Sequence, residues 1–169
     1  MANPTALTAA DIRTYLTFRL QKDLFAIDVL KVREVVELTS ITPIPGSPKY
    51  MRGVINLRGN VVSVVDMRRK FGMAEIAQTI DTCIVVLDIQ MDGDEMILGI
   101  LVDAVQEVFE LSSSQIEPPP TMGTRFKAEY LTGIGKSEDH FIMILDIDKM
   151  LSAEELMLVK NSEETVEEN

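Results

Sequence analysis

The segment RGVINLRGNVVSVVD, residues 52–66, decides the fold class because two strand-like runs flank one turn signal. VINL (54–57) comes before Arg58-Gly59-Asn60, and VVSVVDM (61–67) comes after it. Gly59 suits a tight turn with positive φ, since glycine has no Cβ to oppose that conformation. The segment therefore predicts a β-hairpin that carries Arg58 at an exposed apex.

Short strands continue on both sides of this hairpin, separated by turn or proline signals. Alternating or β-branched apolar residues predict strands at 15–20, 24–29, 32–38, 83–89, 96–105, 106–111, 130–135 and 141–147. Helical spacing predicts one longer helix at 148–160, capped by Asp148 or Ser152. The pattern is typical of an all-β protein built from small barrels.

Two segments repeat in the same order, which divides the chain into two copies. FAIDVLKVREVVEL (25–38) aligns without gaps on LGILVDAVQEVFEL (98–111), with seven identical pairs. Residues 53–71 align on residues 133–151, so that Gly53 matches Gly133 and Asp66 matches Asp146. The repeat predicts two five-stranded β-barrels of one design, packed side by side, with a C-terminal helix.

The predicted organisation follows from this repeat. We expect a disordered leader at 1–13, then one barrel at about 14–80 and a second at about 81–147, with strand exchange allowed near their ends. The helix at 148–160 follows, and an acidic flexible tail, 161–169, ends the chain.

The composition favours a cytoplasmic protein that binds no nucleic acid and does not insert into a membrane. The 169 residues carry a formal net charge of −11, which repels phosphate backbones and anionic lipid. No apolar run approaches the roughly 20 residues that span a bilayer, and the first residues lack the pattern of a signal peptide. The single cysteine, Cys83, makes no internal disulfide.

Residues with catalytic or metal-binding chemistry are sparse, so we expect no enzyme activity, no metal site and no cofactor. One histidine, His140, and one cysteine do not make a zinc site of the ordinary type. Asp66 and Asp146 end apolar strands, where aspartate commonly caps the next turn. An enzyme that uses these two aspartates remains an alternative, as does an oligonucleotide-binding barrel with exposed arginines.

Arg58 has two compatible interpretations at this point. It pairs with a neighbouring carboxylate such as Glu34, or it docks a partner, because arginine combines bidentate hydrogen bonds with an apolar stem.

The chain resembles the CheW family of chemotaxis coupling proteins over roughly residues 14–160. The likeness rests on FAIDVLKVREVVEL, MRGVINLRGNVVSVVDMRRKFGM (51–73), EYLTGIG (129–135) and MILDIDKMLSAEE (143–155). The resemblance implies two SH3-like barrels without catalytic activity. It also implies an adaptor that ties the cytoplasmic hairpin tip of a chemoreceptor to the regulatory domain of the histidine kinase CheA, recruited to membrane-associated receptor arrays.

The resemblance further implies which residues make these contacts. The receptor helix is expected in the groove between the barrels, at Val32, Glu34, Gly53, Asn56, Arg58, Gly59, Ile100, Val102 and Val105. The kinase is expected at one barrel end, at Val65, Met67 and Phe71. Met122 and Phe126, in the loop 119–126, are a candidate second contact that helps to close rings in the array.

Overall fold

The computed structural model describes residues 12–74, 77–91, 93–119, 130–137 and 140–168. The strands are β1 (Ile12–Leu20), β2 (Asp23–Asp28), β3 (Val32–Glu37), β4 (Met51–Leu57), β5 (Asn60–Asp66), β6 (Cys83–Met91), β7 (Asp94–Val102), β8 (Ala104–Ser112), β9 (Ile116–Glu117), β10 (Leu131–Ser137) and β11 (His140–Leu145). The helices are α1 (Met67–Lys70), α2 (Ile147–Met150) and α3 (Ala153–Glu168). The predicted all-β class with a C-terminal helix is confirmed.

The strands form two sheets, and each sheet contains strands from both sequence copies. Copy 1 carries β1–β5 and α1, and copy 2 carries β6–β11 and α2. The five-stranded sheet has the order β3-β6-β7-β5-β4, and the six-stranded sheet has the order β8-β1-β2-β11-β10-β9. Hairpin β6–β7 of copy 2 therefore lies inside the sheet of copy 1, and hairpin β1–β2 of copy 1 lies inside the sheet of copy 2.

This exchange identifies the strands that move between the two predicted barrels, whose boundaries allowed exchange near their ends. A division at residue 80 assigns each half its own barrel, whereas the structure moves a whole hairpin from each copy into the other. Each exchanged hairpin has one antiparallel join with the other copy, β3–β6 or β1–β8, and one parallel join. In the parallel joins, Ser63–Asp66 pair with Leu98–Leu101, and Ile142–Ile144 pair with Leu24–Ala26. Parallel pairing arises because the exchanged hairpin comes from a distant part of the chain rather than from a tight turn.

The strand registers match between the copies, in agreement with the predicted repeat. In copy 1, Gly53 lies opposite Val64, with a bulge between Met51 and Gly53. Eighty residues later, Gly133 lies opposite Ile144, with a bulge at the same place. The Tyr50 carbonyl accepts a hydrogen bond from the Asp66 amide at 2.8 Å, and the Tyr130 carbonyl accepts one from the Asp146 amide at 2.8 Å.

Gly53 and Gly133 lie where each sheet closes on itself. The chain beyond β3 returns at Thr42 to pair with Val54 of β4, and β9, beyond β8, pairs through Glu117 with Ile134 of β10. A Cβ on Gly53 would lie 2.2 Å from the Thr42 carbonyl oxygen, and one on Gly133 would lie 2.6 Å from that of Glu117. The shared glycine is therefore required for closure, which explains its presence in both copies.

The largest hydrophobic cluster fills the space between the two sheets. It combines Phe18 and Phe25 of the exchanged hairpin β1–β2 with Leu87 and Leu98 of the exchanged hairpin β6–β7. Phe25 stacks between Phe18 and Phe71, with ring centroids 5.8 and 5.6 Å away. Smaller clusters lie within each sheet, around Val64 and Ile144. Both exchanged hairpins are therefore held on two sides.

Lys70 joins the two copies and the C-terminal helix. Its ammonium lies 5.0 Å from the ring centre of Tyr50 and 5.4 Å from that of Tyr130, the equivalent tyrosine of copy 2. It also lies 2.6 Å from the Glu155 carboxylate. Burial and the nearby Glu155 carboxylate raise the pKa of Tyr50 to about 12. Burial alone would raise the pKa of Glu155, but hydrogen bonds from Lys70 and Ser152 outweigh it and lower that pKa.

The C-terminal region differs from the prediction of one helix and a flexible tail. The predicted helix 148–160 is interrupted at Leu151 and Ser152, because Ser152 caps α3 through reciprocal hydrogen bonds with Glu155. The backbone then stays helical through residue 168, where a flexible tail was expected; the glutamates of this segment are good helix formers. Residues 12 and 13, expected in the leader, belong to β1.

Separation of the two copies tests the exchange. We expect fragments 1–80 and 81–169 each to remain unfolded alone, because each lacks the hairpin that completes its sheet, and to fold when mixed. Amide dispersion in heteronuclear NMR spectra measures this, with each fragment at the same total concentration as control. Cooperative unfolding of either fragment alone would contradict the exchange.

Alanine substitution at Gly53, compared with the same substitution at another glycine of positive φ, tests whether Gly53 is required for sheet closure. Gly53→Ala should lower the free energy of unfolding by about 3 kcal/mol, because the methyl group meets the Thr42 carbonyl in a backbone with φ of 145°. Gly46→Ala is the control, since Gly46 also has a positive φ of 80° but open space around it. That variant should lose only about 1 kcal/mol. Equal losses in urea unfolding would remove the closure argument.

Candidate functional site

The turn between β4 and β5 presents Arg58 at its apex, as predicted. Arg58 has a φ of 50° and Gly59 a φ of 86°, the pair of positive angles of a type I′ hairpin turn. The Asn56 side-chain oxygen accepts a hydrogen bond from the Gly59 amide at 2.8 Å. Asn56 therefore holds the turn rigid, and Arg58 occupies a conformation that non-glycine residues rarely adopt.

Arg58 forms the ion pair with Glu34 that the sequence left open. Both terminal nitrogens of its guanidinium donate to the Glu34 carboxylate, at distances of 2.8 to 2.9 Å. The Arg58 side chain nevertheless remains 67% exposed, against 27% for Glu34. The carboxylate thus fixes the direction of the guanidinium while most of its surface stays available to a partner.

A bulge in β3 explains why Glu34 faces this turn. Val32 lies opposite Leu87, and Glu34 lies opposite Val86, so Arg33 is the extra residue. Arg33 instead pairs with Asp88, at 2.8 Å. The bulge turns Glu34 towards the side of the cluster inside the five-stranded sheet, where Arg58 covers it.

Four valines of β3 and β8 are partly exposed, and we call them the valine rim: Val32, Val35, Val105 and Val108. Val32 and Val105 pack against the core between the sheets, whereas Val35 and Val108 are 43% and 53% exposed. Cys83 connects the two strands that carry them, since it lies opposite Glu37 of β3 and receives a hydrogen bond from the backbone of Val105 in β8.

Val35 and Val108 are absent from the predicted site, although the signal was in the repeat. They occupy equivalent positions at an offset of 73 and are identical. At a core position, burial would explain why both copies keep a side chain of the same size. Both of these side chains are exposed, however. Their identity therefore indicates a shared surface role that alternation along each strand alone did not reveal.

Several predicted contact residues are too buried to reach a partner through their side chains. Ile100 and Val102 are at most 1% exposed, and Gly53 is buried at the sheet closure. Of the predicted kinase contacts, Val65 and Met67 are 0% exposed and Phe71 is 5% exposed. All five apolar side chains belong to the core between the two sheets. Met122 and Phe126 lie outside the described residues.

The residues considered for chemistry have structural surroundings. Asp66 is buried, accepts hydrogen bonds from the Arg68 and Arg69 amides, and pairs with Arg52 at 3.2 Å. Burial raises the pKa of the Cys83 thiol, so it stays protonated at neutral pH. Within the described part of the chain, no three histidine, cysteine or acidic residues are grouped to hold a metal ion.

The helices that the structure describes include none that is both long and apolar enough to cross a membrane.

Comparison with known proteins gives one consistent result. The family model for the CheW-like domain matches residues 14–155. The chain is 36% identical to the chemotaxis protein CheW of Klebsiella aerogenes over 147 residues, which cover 87% of this chain and 86% of that protein. It is 32% identical to CheW of Rhizobium meliloti over 143 residues, covering 85% and 90%.

A solved structure has the same fold. The scaffolding protein TtCheW from Thermoanaerobacter tengcongensis aligns with a TM-score of 0.77 and 30% sequence identity. The alignment covers 92% of this chain and 96% of the TtCheW chain.

Replacement of Arg58 separates its structural role from its surface role. Arg58→Gly should leave the free energy of unfolding within about 1 kcal/mol of the parent protein, because glycine relieves the positive φ while an exposed ion pair is lost. Arg58→Ala keeps the positive φ and loses the pair, so it should be about 1 kcal/mol less stable than the glycine variant. Urea unfolding of both variants checks this, and equal stabilities would show that the turn carries no strain.

Proposed function

The chain belongs to the CheW-like family, and we propose that it couples chemoreceptors to the histidine kinase CheA through the Arg58 turn and the valine rim. Membership itself makes the chain a chemotaxis adaptor, since the family model spans residues 14–155 and the relatives are chemotaxis proteins of that name. Members of this family are non-enzymatic coupling proteins, so the chain is an adaptor rather than an enzyme. The comparisons do not favour an oligonucleotide-binding protein.

The receptor contact is proposed at the exposed part of the predicted set. Arg58, Asn56 and Gly59 supply a rigid polar turn, and Glu34 holds the guanidinium in place. The valine rim is the proposed apolar part of the contact. Arginine is enriched at interaction hot spots, and an amphipathic helix with an acidic residue would complement a fixed arginine together with apolar side chains. Ile100, Val102 and Gly53 support this surface from within.

The kinase contact is proposed at the end of the five-stranded sheet, near α1. Val65, Met67 and Phe71 pack into the core beneath that end. We therefore assign them the role of shaping it, and the contact itself falls on the exposed surface of the segment. The loop with Met122 and Phe126 remains the proposed second contact with the kinase in the array.

Coupling in this scheme comes from differential binding. An adaptor without catalytic chemistry changes kinase activity only if it contacts one arrangement of receptor and kinase better than another. The tight fixation of Arg58 suits this role, because a rigid contact responds sharply to a small displacement of the receptor helix. Recruitment to membrane-associated arrays follows from binding to receptors.

Charge reversal tests the receptor contact. Arg58→Glu should weaken binding to a soluble receptor cytoplasmic fragment by roughly tenfold or more, because it removes the fixed cation and repels Glu34. Binding is measured by titration against the fluorescently labelled fragment, and binding to the CheA regulatory domain is measured in parallel. Lys136→Glu is the matched control, since Lys136 forms a comparable exposed pair with Glu117 at 2.9 Å on the other sheet.

The double variant Glu34→Arg with Arg58→Glu distinguishes two roles for the pair. It restores a local ion pair but reverses its direction, so a receptor that reads Arg58 directly still binds weakly. Full recovery of receptor binding would assign the pair a structural role only. Parent-like receptor binding by Arg58→Glu would place the receptor contact elsewhere on the chain.

A further inference from the structure

A cavity of about 250 Å³ opens beside the six-stranded sheet and shares no residue with the Arg58 turn. Its uncharged lining includes Ile27, Ile144, Tyr15 and Thr132. Five charged residues complete the lining: Arg13, Asp28, Lys31, Asp146 and Asp148. Three carboxylates thus face two cations, which leaves the cavity with an excess negative charge.

The excess charge lies on Asp146, because the other two carboxylates are occupied. Asp28 pairs with Arg13 at 3.1 Å, and Asp148 pairs with Lys31 at 2.8 Å. Asp146 stands at the N-cap of α2, yet its carboxylate makes no capping hydrogen bond. Among the described residues, its ion-pair partner is Lys149, at 3.9 Å.

Copy 1 of the chain displays the same site with its cation in place. Asp66 is the equivalent of Asp146 at an offset of 80, and Arg52 binds it at 3.2 Å. The position equivalent to Arg52 is Thr132, and each of the two residues is the bulged residue of its hairpin. The Asp66 side chain is 1% exposed under this arginine, whereas that of Asp146 is 30% exposed. Thr132 has a short, uncharged side chain, so copy 2 has no cation at the position of Arg52.

We propose that this cavity is a docking site for an arginine side chain of a partner protein, with Asp146 binding its guanidinium as Asp66 binds that of Arg52. The volume fits this occupant, since it is below the roughly 300 to 1,000 Å³ of small-molecule pockets and accommodates one long side chain. The apolar part of the lining receives the methylene stem, and the carboxylate offers two oxygens to the planar fork. The site shares no residue with the receptor contact proposed above and does not depend on it.

The experiment uses acetyl-arginine amide as the probe and the full ¹⁵N-labelled chain. The probe should produce saturable amide shifts at Thr132 and at residues 145–148. Acetyl-citrulline amide, which has the same shape without the charge, should bind at least about tenfold more weakly, because a charge-assisted hydrogen bond is lost. Equal responses to the two probes, or shifts confined to other residues, would overturn the proposal.

Two variants locate the response, and one serves as control. Asp146→Asn keeps a good capping residue and should reduce arginine binding at least about tenfold. Thr132→Arg should abolish the response by filling the cavity from within, as Arg52 does in copy 1. Asp94→Asn removes the same charge from an exposed hairpin turn and should bind like the parent. Parent-like binding by either cavity variant that retains a dispersed amide spectrum would refute the site.

Discussion

The fold depends on four strand pairings that bind the exchanged hairpins to the other copy. β3–β6 and β1–β8 are antiparallel, and β5–β7 and β11–β2 are short parallel pairings. Four residues of β5 pair with β7, and three residues of β11 pair with β2. Without these pairings neither sheet is complete, and the core between the sheets loses the aromatic and leucine side chains that fill it. The barrels, the closure at the glycines and the position of the Arg58 turn all follow from this arrangement, so the two copies form one cooperative unit.

The features that were predictable from the sequence are those that single residues or short segments determine. The Arg58-Gly59 turn, the paired glycines and the equivalent aspartates were predictable because turn geometry, bulges and caps restrict residue type at single positions. The sequence allowed strand exchange but did not identify which strands exchange, because the copies are so similar that β2 carries the same pattern whether it pairs with β5 or with β11. Only packing of the whole chain selects one partner.

The sequence also did not show which predicted contact residues are buried. Alternation along β7 identifies Ile100 and Val102 as sharing one face, but it does not say whether that face meets a partner or the other sheet. The structure places it against the other sheet, and the valines of β3 and β8 with the most exposed side chains are Val35 and Val108. The pairing of Glu34 with Arg58 was predictable from the residue types, because an arginine guanidinium and a carboxylate form bidentate hydrogen bonds. The bulge that turns Glu34 towards Arg58 was not, because it depends on the register between β3 and β6.

The connection between the copies has a consequence for assembly. Twelve residues, 71–82, link α1 to β6 and keep each copy near its complement. A short link imposes a high effective concentration, far above the concentration of separate chains, so one chain completes its own sheets. The same pairings formed between two chains would give a domain-swapped dimer with identical surfaces. The short connection therefore favours completion of both sheets within one chain over the swapped dimer.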